Sequence, residues 1–144
     1  MNEATKPERE ITEAQKQLAA DSLHKNLFAR MIGMRLVDLR PDEATIKIEM
    51  RDELRQPHGL LHGGVTATLI DTAMAFAAIT CLTEEEKAST IDLTVHYLRP
   101  HTEGAFVCTA KVVRAGKRIL TVSAEVTNEK GKQIATALST YTKV

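Results

Sequence analysis

Apolar side chains recur first at helical spacing and then, over most of the length, at alternate positions. Ile11, Ala14, Leu18 and Ala19, followed by Leu23, Leu27, Phe28 and Met31, predict one broken helix or two short ones within an N-terminal segment, 10–31. Residues 1–9 show no such pattern and are expected to be disordered. A hairpin is predicted over Met34–Leu39 and Ala44–Met50, turning at Pro41-Asp42-Glu43. The loop Arg55-Gln56-Pro57-His58-Gly59 then leads into a long helix from about Gly63 to Cys81. Beyond it, Ser89–Leu98, Ala105–Arg114, Arg118–Asn128 and Gln133–Lys143 read as strands, with turns at Ala115-Gly116-Lys117 and Glu129-Lys130-Gly131.

One hydrophobic helix among about six hairpin-connected strands is an α+β pattern. Such a sheet is largely antiparallel and must cover one face with something apolar. The long helix is the one element large enough. The expectation is a single domain, 1–144, in which a curved antiparallel sheet wraps around one central helix.

Composition removes several functions. With 144 residues the chain can bury a core without staples. Aromatics are 3% and Trp is absent, which argues against base-stacking platforms for nucleic acid. Nineteen basic and 19 acidic side chains cancel, so no global field draws the protein to nucleic acid or to a membrane surface. A net charge near zero suits self-association. Cys81 and Cys108 form no CxxC motif and read as reduced core residues of a cytoplasmic protein. Met1–Glu10 lacks the apolar stretch of a signal peptide. The segment Val65–Leu82 carries Asp71 and four threonines, and reads as a buried helix rather than a membrane span.

The chemistry concentrates in Gln56-Pro57-His58-Gly59-Leu60-Leu61-His62-Gly63-Gly64-Val65, with Asp71 further along the same helix. Glycines at a helix start let a ligand approach bare backbone, and first-turn N–H groups lack intrahelical partners at the positive end of the dipole. They form a ready site for a polarised carbonyl oxygen. Their plainer use is tight packing of helix on sheet. At roughly 100° per residue, Asp71 shares its face with Gly64, Ala67, Ala75 and Ala78. A carboxylate on a stripe of small residues is paired, at work, or turned to solvent or to a nearby hydroxyl such as Thr68 or Thr72.

Gly63 and Asp71 are separated by about 12 Å of helix. A reacting carbonyl needs its donors and its attacking group within about 3 Å. One helix cannot supply both. Two helices related by a two-fold axis can, with Gly63 of one copy beside Asp71 of the other.

The run Leu61-His62-Gly63-Gly64-Val65-Thr66-Ala67-Thr68-Leu69-Ile70-Asp71 resembles the signature of hotdog-fold acyl-CoA thioesterases of the PaaI-like group. The later Tyr97-Leu98-Arg99-Pro100 resembles that family's strand end, and the likeness spans roughly residues 25–143. It implies a hotdog fold, homodimers that often pair into homotetramers, and hydrolysis of aryl- or fatty-acyl-CoA without a further cofactor. By position, Gly63 would polarise the thioester carbonyl and Asp71 would be the nucleophile or the base that activates water. His62 would orient the helix entrance. Thr90 falls where the family often has a serine assisting the water or the acid. Gln56 stands where the PaaI-like branch often has Asn. Gln there is similar to the hydroxybenzoyl-CoA and dihydroxynaphthoyl-CoA branch, which typically carries Glu where this chain has Asp71.

Strand alternation puts Ile91, Leu93, Val95 and Tyr97 on one face and Thr90 on the other, so Thr90 also reads as a plain strand threonine. Lys111, Arg114, Lys117 and Arg118 cluster around one hairpin, and Arg99 precedes Pro100. These five, Lys117, Arg118 and Arg99 foremost, could grip the phosphates of coenzyme A, or serve as a soluble charged edge. His58 could line the entrance or only cap its turn. His96 and His101 read as strand-surface or loop residues. No metal-ligand spacing and no GxSxG elbow is present. A non-catalytic acyl-CoA-binding module on the same fold is the alternative from another class. A hotdog dehydratase lacks its expected His-and-acid arrangement.

Overall fold

The computed structural model describes residues 9–144, so the expected disorder of 1–9 falls, Arg9 apart, outside the described residues. Thr12 opens α1 (Glu13–Lys25) with a reciprocal cap. Its hydroxyl accepts from the Gln15 N–H at 3.1 Å, and the Gln15 side chain accepts from the Thr12 N–H at 2.8 Å. Asn26 ends α1 and caps α2 (Leu27–Ile32), its side chain accepting from the Ala29 N–H at 2.9 Å. The N-terminal pattern is thus two helices. Gly33 stops the second at φ +89°.

β1 (Arg35–Arg40) and β2 (Glu43–Glu49) form the first hairpin, with a turn one residue tighter than predicted because Glu43 already pairs with Arg40. A short 3-10 turn, Asp52–Leu54, precedes α3 (Gly63–Ile79), which ends two residues before the predicted Cys81. β3 (Ala88–Tyr97), β4 (Ala105–Ala115), β5 (Ile119–Asn128) and β6 (Gln133–Lys143) match the predicted strands to within one residue at each end.

The six strands make one antiparallel sheet in the order β1-β2-β4-β5-β6-β3. α3 packs against every one of them. Leu69, Ile70 and Met74 of α3 are fully buried in a core shared with Ile46, Ile48, Phe106, Leu120, Val122 and Val126. Each such side chain contributes about 1.5–3 kcal/mol relative to leaving it exposed. Wrapping the sheet around α3 leaves the two ends of that helix, and one stripe of it, as the places where chemistry can be presented.

The two edges of the sheet are treated differently. α1 lies along β1, with Leu23 buried and Lys16 Nζ 3.2 Å from the Asp38 carboxylate. β3 pairs with β6 on one side and, among the described residues, is open on the other, and Ile91 and Tyr97 on it are each 56% exposed. A long open edge bearing apolar side chains is a surface that favours pairing.

Candidate active site

The entrance to α3 is built by a loop that satisfies its own backbone. Arg55 pins it, donating to the Gly59 carbonyl at 2.8 Å and the Thr102 carbonyl at 2.7 Å, and pairing with Glu103 at 2.6 Å. The Leu61 N–H reaches the His101 carbonyl, and the His62 N–H reaches the Leu54 carbonyl, each at 2.8 Å. His62 is the N-cap of α3: its Nδ1 accepts from the Gly64 N–H at 2.8 Å. That contact requires the Nδ1 lone pair, so the ring carries its proton on Nε2 when neutral. The Val65 N–H reaches the His62 carbonyl at 3.0 Å, and the Thr66 N–H reaches the same carbonyl at 3.4 Å. Of the first four amides of α3, the Gly63 N–H alone has no acceptor among the described residues. One free donor therefore stands at the positive end of a 17-residue helix.

The glycines are explained by close approach, not by backbone strain. A Cβ on Gly63 would sit 3.3 Å from the Tyr97 ring, whose hydroxyl donates to the Gly63 carbonyl at 2.8 Å. A Cβ on Gly64 would sit 3.0 Å from His62 Nδ1. Gln56, Gly63, Gly64, Tyr97, Arg99 and His101 border a cleft of about 470 Å³. The Gln56 side-chain carbonyl accepts from the His58 N–H, which leaves its NH₂ free to donate. His58 itself is exposed and does not border the cleft. His101 is a loop residue but a buried one, its Nε2 2.9 Å from the Gly104 carbonyl and its ring edge-on to Phe106.

Midway along α3, Asp71 is half-buried and bonded, though to neither Thr68 nor Thr72. Thr68 instead donates to the Gly64 carbonyl at 2.8 Å. The Thr90 hydroxyl donates to Asp71 Oδ1 at 2.9 Å. The Tyr141 hydroxyl lies 2.9 Å from the same Oδ1 and 2.8 Å from the Asp71 main-chain carbonyl. Burial, and then the negative charge of Asp71, push the Tyr141 phenol well above its usual range, with the neighbouring Thr90 hydroxyl acting in the opposite direction. It stays a donor throughout the physiological range.

Thr90 corrects the alternation expected from the sequence. A bulge between Thr90 and Asp92 leaves Ile91 unpaired, so Thr90 pairs with Tyr141 while Leu93 pairs with Ser139. The extra residue shifts the phase by one, and Thr90 joins Leu93 and Val95 on the helix side of the sheet. Tyr141 escaped the sequence reading altogether. A signal existed, because a tyrosine among the small residues Ala135, Ala137 and Ser139 on one strand face needs a partner for its hydroxyl if buried.

The remaining basic residues separate. Arg99 donates to the Gln133 carbonyl at 2.9 Å, at the start of β6. Lys117 and Arg118 lie at its far end, where the Lys143 N–H reaches the Arg118 carbonyl at 2.8 Å. Within one copy, then, Gln56, Gly63, Gly64 and Arg99 gather at one end, and Asp71, Thr90, Lys117 and Arg118 toward the other. His62, at the helix entrance, belongs with the first group. A groove of about 770 Å³ runs between α1 and the C-terminal half of α3, walled by Ile11, Leu18, Ala19, Phe76, Ile79 and Leu82. Among the described residues no three His, Cys, Asp or Glu side chains lie close enough to hold a metal ion, and no helix is long and apolar enough to cross a membrane.

Residues 58–135 match the thioesterase superfamily. The chain is 31% identical over 129 residues to the medium/long-chain acyl-CoA thioesterase YigI of Escherichia coli (strain K12), across 79% of this chain and 83% of that one. It is 32% identical over 111 residues to acyl-coenzyme A thioesterase 13 of Homo sapiens, across 75% and 79% of the two chains. Among solved structures, a mutant of phenylacetic acid degradation protein PaaI from Thermus thermophilus superposes with a TM-score of 0.76 at 29% identity. That match covers 83% of this chain and all 100% of the other.

Proposed function

The chain belongs to the thioesterase superfamily and has its hotdog fold, and from that premise we propose that it hydrolyses acyl-CoA thioesters, fatty acyl chains ahead of aryl groups, in a cytoplasmic homodimer. The observation that carries the reading is the Gly63 N–H at the head of α3, without an acceptor among the described residues, combined with a carboxylate held by hydroxyls farther along the same helix.

A thioester carbonyl oxygen accepts from the Gly63 N–H, and the helix dipole favours the negative charge that grows there. Asp71 of the partner subunit supplies the other half. It draws a proton from water as the water oxygen bonds to the carbonyl carbon, or it attacks that carbon directly and water resolves the anhydride. In either course the C–S bond breaks, the CoA sulfur takes up a proton, and the free acid leaves. Gln56 donates its amide N–H to the carbonyl or the water, while Gly64 gives the substrate room and His62 fixes the helix entrance.

Sharing between two copies is supported by the spacing along α3 and by the open, apolar edge of β3. The same two-fold brings one copy's Arg99 toward the other's Lys117 and Arg118, a basic rim for the CoA phosphates. Fatty chains are favoured by the apolar groove between α1 and the C-terminal half of α3, and by the medium/long-chain acyl-CoA in the name of the Escherichia coli relative.

A panel of acyl-CoAs of increasing chain length, read with a thiol-trapping dye, tests reaction and specificity together. Asp71→Ala is expected to lower turnover about 10²-fold or more. Tight acyl-CoA binding with no thiol release by the unmodified protein would instead point to a binding module.

A further inference from the structure

We infer that Tyr141 is a positioning residue for the hydrolysis, one that occupies a single oxygen of Asp71 and thereby assigns the reaction to the other. The inference rests on the reading of Asp71 given above. Asp71 offers two carboxylate oxygens, each with two lone pairs. Oδ1 lies within 2.9 Å of two hydroxyls, those of Thr90 and Tyr141, and Oδ2 has no hydrogen-bond partner among the described residues. The donors are therefore concentrated on one oxygen. Oδ2 is left to take a proton from water or to attack.

Tyr141 does this with more constraint than Thr90. Its hydroxyl sits between Oδ1 and the main-chain carbonyl of the same Asp71, so one group spans backbone and side chain and sets how the carboxylate stands off the helix. The ring is 1% exposed and embedded in β6, paired across the sheet with Leu120 on one side and Thr90 on the other. A rigid, two-torsion side chain anchored in a central strand holds its hydroxyl more tightly than a loop residue could. Burial also keeps the phenol protonated, so it cannot act as a competing base. Its effect on the reaction passes through Asp71.

The test is a double-mutant cycle on the full-length protein with one acyl-CoA substrate: unmodified, Tyr141→Phe, Asp71→Asn, and both changes together. The single Tyr141→Phe change is expected to lower kcat about tenfold with KM altered less than twofold. On the Asp71→Asn background the same change is expected to lower turnover no further, because the group it positions is gone. Equal losses on both backgrounds would make Tyr141 a structural residue and overturn the inference, as would wild-type kcat for Tyr141→Phe alongside an impaired Asp71→Asn. Full activity of Asp71→Asn would instead remove the reading of Asp71 itself. Should Tyr141→Phe not fold, replacement of Tyr141 by 4-aminophenylalanine, which keeps a donor, and by 4-methylphenylalanine, which does not, carries the same contrast. Near wild-type kcat is expected for the first and the tenfold loss for the second.

Discussion

The Tyr97 hydroxyl donates to the main-chain carbonyl of Gly63 at 2.8 Å, and its ring lies where a Gly63 Cβ would point, 3.3 Å away. The strand end and the helix start are therefore locked at the residue whose N–H has no acceptor among the described residues. In Gly63→Ala the ring must yield by a few tenths of an ångström, shifting the donor with it. Misplacement on that scale is expected to lower kcat/KM about tenfold. Stability should change little, since alanine is the better helix former by about 0.5–1 kcal/mol. Steady-state kinetics beside thermal denaturation would separate the two effects.

His62→Ala removes the acceptor for the Gly64 N–H. Loss of an N-cap costs about 1 kcal/mol, or a fall in melting temperature of roughly 3–4 °C for a chain of this size. His62→Asn, which caps well, is expected to restore most of that stability. Melting curves of the two variants decide whether the ring matters as a cap, and their kinetics whether it matters for anything more.

Complementation tests the shared site directly. Asp71→Asn retains an intact Gly63, and Gly63→Val retains an intact Asp71. Refolded together in equal amounts, half the pairs are mixed, and one of the two sites in each mixed pair is whole. Activity should return to about one quarter of the unmodified value, whereas each variant alone stays inactive. No recovery would place both halves in one copy.

Alkaline stability follows from Tyr141. Burial raises its folded pKa above the ordinary value of about 10, so the folded protein keeps a proton that the unfolded chain releases. The resulting stability is complete below about pH 10 and is lost as pH rises toward the folded value. Denaturation midpoints should fall over that window, and fall less in Tyr141→Phe. Of the two tyrosines in the chain, Tyr141 is expected to ionise late in a tyrosinate absorbance titration.

Much of this was legible in the sequence because hydrophobic period and turn residues act locally. β6 could be bounded at both ends, Gln133 and Lys143, from alternation and its Gly131 turn alone. Asp71 stood out because a charge on a stripe of small residues has few reasons to be there. Thr90 was misplaced for the same reason that alternation works elsewhere: the rule assumes an unbroken period of two, and the bulge at Ile91 carries no compositional mark. Tyr141 and Arg55 were missed because their roles depend on partners distant in sequence. Asp71 lies 70 residues before Tyr141, and Glu103 lies 48 beyond Arg55.

The length of α3 between Gly63 and Asp71 has a physiological corollary under the shared-site reading. A newly translated copy is chemically silent until it meets another. While copies are scarce, hydrolytic capacity grows with the square of their number rather than in proportion, so modest changes in expression would switch thioester turnover on or off more sharply than any change in the catalytic groups.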